Sequence, residues 1–142
     1  DYYVPNRFDD GYGPNKDVYK RLIDNGTQLI VTVDNGVAGH EAIEFAKEQG
    51  VDVVITDHHE LPQELPDAYA IIHPKIPNDD GDYPFEGLSG AGVAFKVATA
   101  LLEQLPIWFR WLMKIAFLSS TDWRLCVQRN ESDCLLYMKN AD

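Results

Sequence analysis

Val53-Val54-Ile55-Thr56-Asp57-His58-His59 decides how this chain is read. Three β-branched apolar residues and a threonine make a short run of the kind that forms a buried strand. The run ends in an acid and two imidazoles. These then lie at the strand's carboxyl edge, where open α/β sheets place their ligands. One carboxylate and two imidazole nitrogens suit Mn, Zn or Fe better than Ca. Adjacent histidines in a loop are more often exposed and idle, so the assignment needs support from elsewhere in the chain.

A second stretch of the same design gives it. Leu29-Ile30-Val31-Thr32-Val33 runs into Asp34-Asn35-Gly36. Between and around the two runs, apolar residues recur at helical spacing. Asn15 caps an expected helix over Lys16 to Asn25, closed by Gly26. A second helix is expected from Ala38 to Gln49, with Ala42, Ile43, Phe45 and Ala46 turned inward. Short strands are expected at Tyr2 to Val4, Asp52 to Thr56 and Tyr69 to Ile72. Lys75 to Leu88 reads as a loop, and Gly90 to Leu105 as a third helix. Strands alternating with ten-residue helices predict βαβ units, an α/β fold with a parallel β-sheet flanked by helices. In a parallel sheet both acid-tipped ends share one edge, so Asp34 is expected to face the same pocket as His58 and His59. A carboxylate bridging two metals, with an imidazole on one of them, is a fragment of a two-metal hydrolase.

Composition sets the outer bounds. The chain has 142 residues, 45% of them hydrophobic, which is one domain or part of one. No apolar run reaches the roughly 20 residues of a membrane span. It opens Asp1-Tyr2-Tyr3, which reads as a start within a longer protein and not as a leader. Cys126 and Cys134 are not spaced as a metal pair, and nothing points to secretion, so a cytoplasmic location is expected. The net charge of −11 weighs lightly against a nucleic-acid binder, because carboxylates gathered around metal ions can make a nuclease acidic.

Three smaller features bear on function. Leu88-Ser89-Gly90-Ala91-Gly92-Val93 is a small-residue entry to a helix, where backbone amides can hold a phosphate; close helix packing explains it equally well. His73 follows a strand and can face the same edge. His40 lies within a helix and is expected to be an idle surface residue.

Four stretches together resemble the RecJ exonucleases of the DHH phosphoesterase superfamily: Tyr3-Val4-Pro5-Asn6-Arg7, Val33-Asp34-Asn35-Gly36-Val37, Thr56-Asp57-His58-His59-Glu60 and Ser89-Gly90-Ala91-Gly92-Val93-Ala94-Phe95-Lys96. The resemblance covers about residues 1–105, read as part of a DHH domain. It implies hydrolysis of single-stranded DNA from the 5′ end with Mn or Mg. It makes Asp34 the bridging metal ligand and His58 a ligand of one ion. His59 would touch the scissile phosphate, and Asp57 would orient the histidines. Arg7, with Ser89 and Gly90, would hold phosphate. The family's first aspartate motif, Asp-Tyr-Asp-x-Asp-Gly, does not occur in this chain, nor does the later one expected after Leu101-Leu102-Glu103. Only part of the ligand set is therefore expected, and little nuclease activity from the chain alone. A DHH pyrophosphatase or cyclic-dinucleotide phosphodiesterase would share Asp34 and Asp57-His58-His59 without the Pro5-Asn6-Arg7 and Ser89 to Lys96 stretches. A degenerate, non-catalytic module is the third reading.

Residues 106–142 differ in character. Residues 1–105 hold 7 Lys and Arg against 19 Asp and Glu, a net of −12, whereas 106–142 hold 5 against 4, a net of +1. All three tryptophans fall in this tail. Its composition reads as a frame-shifted translation. Taking the third base of each codon with the first two of the next forces Val from Trp108-Phe109, Glu from Met113-Lys114, and Leu from both Asp122-Trp123 and Asp133-Cys134. Those positions agree with a string, Val-Ser-Leu-x-x-Glu-Asn-Arg and beyond, that resembles the family downstream of its later aspartate motif. A tail of this origin is expected to dock poorly and to expose Trp108, Trp111 and Trp123.

Overall fold

The computed structural model describes residues 2–77, 82–104 and 134–139, with residues 103–104 and 134–139 by backbone alone. In chain order the elements are β1 (Tyr2–Tyr3), α1 (Lys16–Asp24), β2 (Thr27–Val33), α2 (His40–Glu48), β3 (Asp52–Thr56), β4 (Ala70–Ile72), α3 (Gly90–Gln104) and β5 (Cys134–Lys139). The sheet order is β1-β5-β2-β3-β4. β2, β3 and β4 are parallel neighbours, registered Ile30 on Val53 and Ile55 on Ile71. The expected parallel sheet flanked by helices is present.

Alternation along the strands fixes which side is buried. Ile30, Val53 and Ile55 point to one face, where they meet Val18, Tyr19 and Leu22 of α1 and Ala42, Ile43 and Ala46 of α2. Val31, Val33 and Val54 turn to the other face and are half-buried. The Asn15 side chain caps α1, its Oδ1 accepting from Asp17 N at 2.8 Å and Val18 N at 3.3 Å. A cap of this kind is worth about 1 kcal/mol. α2 starts later than the periodicity suggests, because Gly36 to Gly39 closes a turn first, Gly39 N donating to Gly36 O at 2.9 Å. α3 packs against β2 and β3, yet of its apolar residues Val93 is buried while Phe95 and Leu101 lie exposed.

One expectation about the tail needs correction. Cys134–Lys139 was expected to dock poorly; it forms β5, antiparallel to β2 from Thr27 to Val33 and to β1 at Tyr2 and Tyr3. Cys-Leu-Leu-Tyr-Met-Lys is a strand-forming sequence, and β2 otherwise ends the parallel set with an open row of backbone groups. The expectations for Trp108, Trp111 and Trp123 lie outside the described residues.

Candidate metal centre

The carboxyl ends of β2 and β3 are tied together before any functional side chain enters. Thr56 Oγ1 donates to Thr32 O at 2.6 Å, and Thr56 N donates to Thr32 Oγ1 at 3.3 Å. Thr32 Oγ1 also donates to Asn35 O at 2.5 Å, and Asp34 N donates to Thr56 O at 2.9 Å. Both threonines are fully buried, so these hydroxyls lock the two strand ends in a dry environment. Sequence reasoning passed over them. The signal was there: each acid-tipped run carries a threonine one or two residues before its acid, where an apolar residue would serve a plain core strand better. Gly36 follows at φ 119, and a Cβ there would meet Thr32 Oγ1 at 2.8 Å, so the turn needs glycine.

Asp57 is 1% exposed and carries the second strand end. Its Oδ2 accepts from Val37 N at 3.0 Å. Its Oδ1 accepts from His58 N at 2.7 Å, His59 N at 3.3 Å and the His59 ring Nδ1 at 2.6 Å. Burial pushes its pKa up, but the bonds from Val37, His59 and His58 outweigh that and hold it below the ordinary carboxylate value. An ionised acceptor makes His59 Nδ1 the donor, which fixes that ring's tautomer. His73 braces the same loop. Lys75 N donates to its Nδ1 at 3.1 Å, so its Nε2 donates to His59 O at 2.9 Å. Burial holds the His73 pKa below the usual value, which keeps the ring neutral and this pairing intact.

Asp34 is built differently. It sits at φ 61, the left-handed region, the one non-glycine residue with positive φ among those described. Such a conformation costs on the order of 1 kcal/mol or more and persists where the surroundings demand it. Its Oδ1 lies 2.8 Å from His58 Nε2. The contact is an ion-pair approach and not a hydrogen bond, and Oδ1 is buried with no hydrogen-bond partner. Ligand atoms of Asp34, His58 and His59 lie within 4.8 Å of one another, and the two imidazoles are tilted by 45° with centroids 4.7 Å apart. Asp34 and His58 do come together at one edge of the sheet. An orphaned carboxylate oxygen beside imidazole nitrogens fits a divalent cation of the Mn, Fe or Zn type, by donor chemistry and by the cost of leaving Oδ1 unmatched.

Of the residues expected to hold phosphate, Gly90 stands beside this cluster. Gly90 is buried against the Asp34 carboxylate, and Ser89 caps α3, its Oγ accepting from Gly92 N at 3.2 Å. Arg7 is exposed, its guanidinium 5.0 Å above the Tyr12 ring. Its loop is pinned internally: Asp10 Oδ2 accepts from Tyr3 Oη at 2.5 Å and from Asn6 N at 2.8 Å, and Oδ1 accepts from Arg21 Nη2 at 3.1 Å. The loop's far end rests near the same strand ends, where Pro14 packs against Gly39 and Gly13 faces Asn35. His40 is exposed, as expected. No helix among the described residues is long and apolar enough to cross a membrane.

The model of the DHH family, N-terminal domain, matches residues 1–116. The chain is 53% identical over 106 residues to the single-stranded-DNA-specific exonuclease RecJ of Bacillus subtilis, covering 75% of this chain and 13% of that protein. It is 48% identical over 101 residues to the Escherichia coli RecJ, covering 71% of this chain and 17% of that protein. A crystal structure of exonuclease RecJ bound to manganese superposes with a TM-score of 0.60 at 33% identity, over 73% of this chain and 26% of that one. The chain thus spans less than a fifth of the length of these two curated relatives.

Proposed function

The chain belongs to the DHH family, and from that premise we propose that it forms part of the catalytic domain of a metal-dependent 5′→3′ single-stranded-DNA exonuclease of the RecJ type. The observation that carries this is the orphaned Oδ1 of Asp34 facing His58 and His59. In this reading Asp34 and His58 hold Mn or Mg. His59, its tautomer set by Asp57, meets the scissile phosphate. Arg7, Ser89 and Gly90 bind phosphate along the strand. A metal pair in such a site activates water and stabilises the attacking and leaving oxygens of a displacement. The protein's own part is positional. Asp57 holds the histidine loop by three bonds and ties it to Val37 by a fourth, His73 bonds the same loop at His59 O, and Thr32 with Thr56 keeps both strand ends in register. A cytoplasmic location and single-stranded DNA as partner belong to the same reading. So does the frame-shifted origin of residues 106–142, which the coding DNA tests directly: its shifted frame must encode Val-Ser-Leu-x-x-Glu-Asn-Arg.

Among the described residues Asp34, His58 and His59 are the one cluster of three or more donors able to hold an ion. Three donors are too few to place two ions together, so the expected result is Mn binding without robust turnover. Titrating the chain with Mn, then assaying 5′-phosphorylated single-stranded DNA, pyrophosphate and a cyclic dinucleotide, tests this. Binding lost in His58→Ala supports the assignment. Strong Mn-dependent DNA degradation that His58→Ala abolishes would overturn the view that this chain lacks part of the centre. Turnover confined to pyrophosphate or the cyclic dinucleotide would replace the exonuclease reading.

A further inference from the structure

Gly90 opens α3, is buried, and stands against the Asp34 side chain. A Cβ built there would overlap Oδ1, Cγ and Cβ of Asp34, all closer than the 3.0 Å that real Cβ atoms keep. Relief by rotation is not cheap. Asp34 is already held at φ 61 by its bond to Thr56 O, and swinging its carboxylate away gives up the 2.8 Å approach to His58 Nε2. Two constraints therefore converge on one side chain: a strained backbone aims it, and a missing Cβ leaves it room.

We infer that Gly90 is a positioning residue for the metal centre, the wall against which the Asp34 carboxylate is set so that its buried oxygen faces the imidazoles. This rests on the metal reading proposed above. It also gives Gly90 a task apart from phosphate binding, since the space its side chain would occupy is taken by Asp34. Gly92, two residues on, supplies an internal control. A Cβ there meets the flexible Leu88 Cδ2 at 3.1 Å and touches no metal donor. Both positions lie at the start of one helix, where alanine favours helix more than glycine does. Propensity alone would make the two alanine variants behave alike.

The experiment is Mn binding to the full chain, read by the spin resonance of free and bound Mn, together with a double-mutant cycle in Tm between positions 34 and 90. Gly90→Ala should weaken Mn binding about tenfold or more, the equivalent of roughly 1.4 kcal/mol. Gly92→Ala should leave it unchanged. Gly90→Ala should also lower Tm in the parent chain and lose most of that penalty when Asp34→Gly removes the side chain it strikes. Recovery of folding in the double variant, if Gly90→Ala alone does not fold, supports the inference equally. Unaltered Mn affinity in Gly90→Ala overturns it, as does a Tm penalty that persists beside Asp34→Gly. If the parent chain binds no Mn, the metal reading fails, and the Tm cycle still decides whether Gly90 sets Asp34.

Discussion

Asp57 and Asp34 both close a buried strand, and both follow a run of β-branched residues, yet the two strand ends are finished in opposite ways. Asp57 is buried and accepts from Val37 N, His58 N, His59 N and the His59 ring. Asp34 is strained, half its side chain is open, and its one buried oxygen accepts nothing. A carboxylate saturated by protein donors holds the fold. One left unmatched next to imidazoles is held by the fold for something else. The pair therefore separates stability from function across two adjacent strands, and substitution at each should move the two properties in different directions.

The largest effect is expected at Asp57. Asp57→Ala removes the acceptor of the Val37 and His58 amides and leaves the buried Val37 amide unsatisfied, at about 1–3 kcal/mol for such a group. Thermal unfolding should shift down accordingly, and Mn binding should be lost with it because the histidine loop is no longer held. Asp57→Asn keeps the shape and one acceptor, and should lie between. If Asp57→Ala melts like the parent chain, the contrast between the strand ends has no energetic content.

Asp34 should give the reverse sign. Asp34→Gly relieves a left-handed φ that glycine adopts freely, a gain of roughly 1 kcal/mol. The chain should become slightly more stable while losing Mn binding. A loss of stability on this substitution would mean that the Asp34 side chain contributes to the fold as Asp57 does.

Much of this is legible in the sequence itself. The parallel core of β2, β3 and β4 follows from β-branched runs spaced by helical periods, and Asp34, Asp57, His58 and His59 follow from where those runs stop. What escaped depends on tertiary contact. Tyr19 is fully buried in the core, and a hydroxyl-bearing ring beside Val18 and Leu22 does not announce that by itself. α3 has an apolar composition that promises burial, while Phe95 and Leu101 stay exposed; periodicity shows which residues share a face, not what covers it. Pairing of β5 beside β2 joins residues a hundred positions apart, which no local pattern encodes. The contact between Gly90 and Asp34 is of the same kind. Each residue belongs to its own motif in the sequence, and only the fold puts one against the other.

A third carboxylate, its side chain covered but set in a surface loop and not in the core, tests whether such bonding gives the Asp57 behaviour elsewhere in the molecule. Asp10 accepts from Tyr3 Oη, Asn6 N and Arg21 at the surface loop that carries Arg7. The Tyr3 hydroxyl first, then the Asn6 amide and the Arg21 guanidinium, holds its pKa below the ordinary carboxylate value. A depressed carboxylate contributes stability that is present above its unfolded pKa of about 3.9 and is lost as pH falls through the lower, folded value. Solvent and salt reach the Arg21 partner, so this contribution should be the smallest of the three. The expected observation is a modest decline in Tm of the parent chain below about pH 4, flattened in Asp10→Asn and reduced at high salt. If Asp10→Asn leaves the acid limb of the Tm profile unchanged, these bonds do not stabilise the Arg7 loop, and a place in the core between two strands, more than the number of donors, is what distinguishes Asp57.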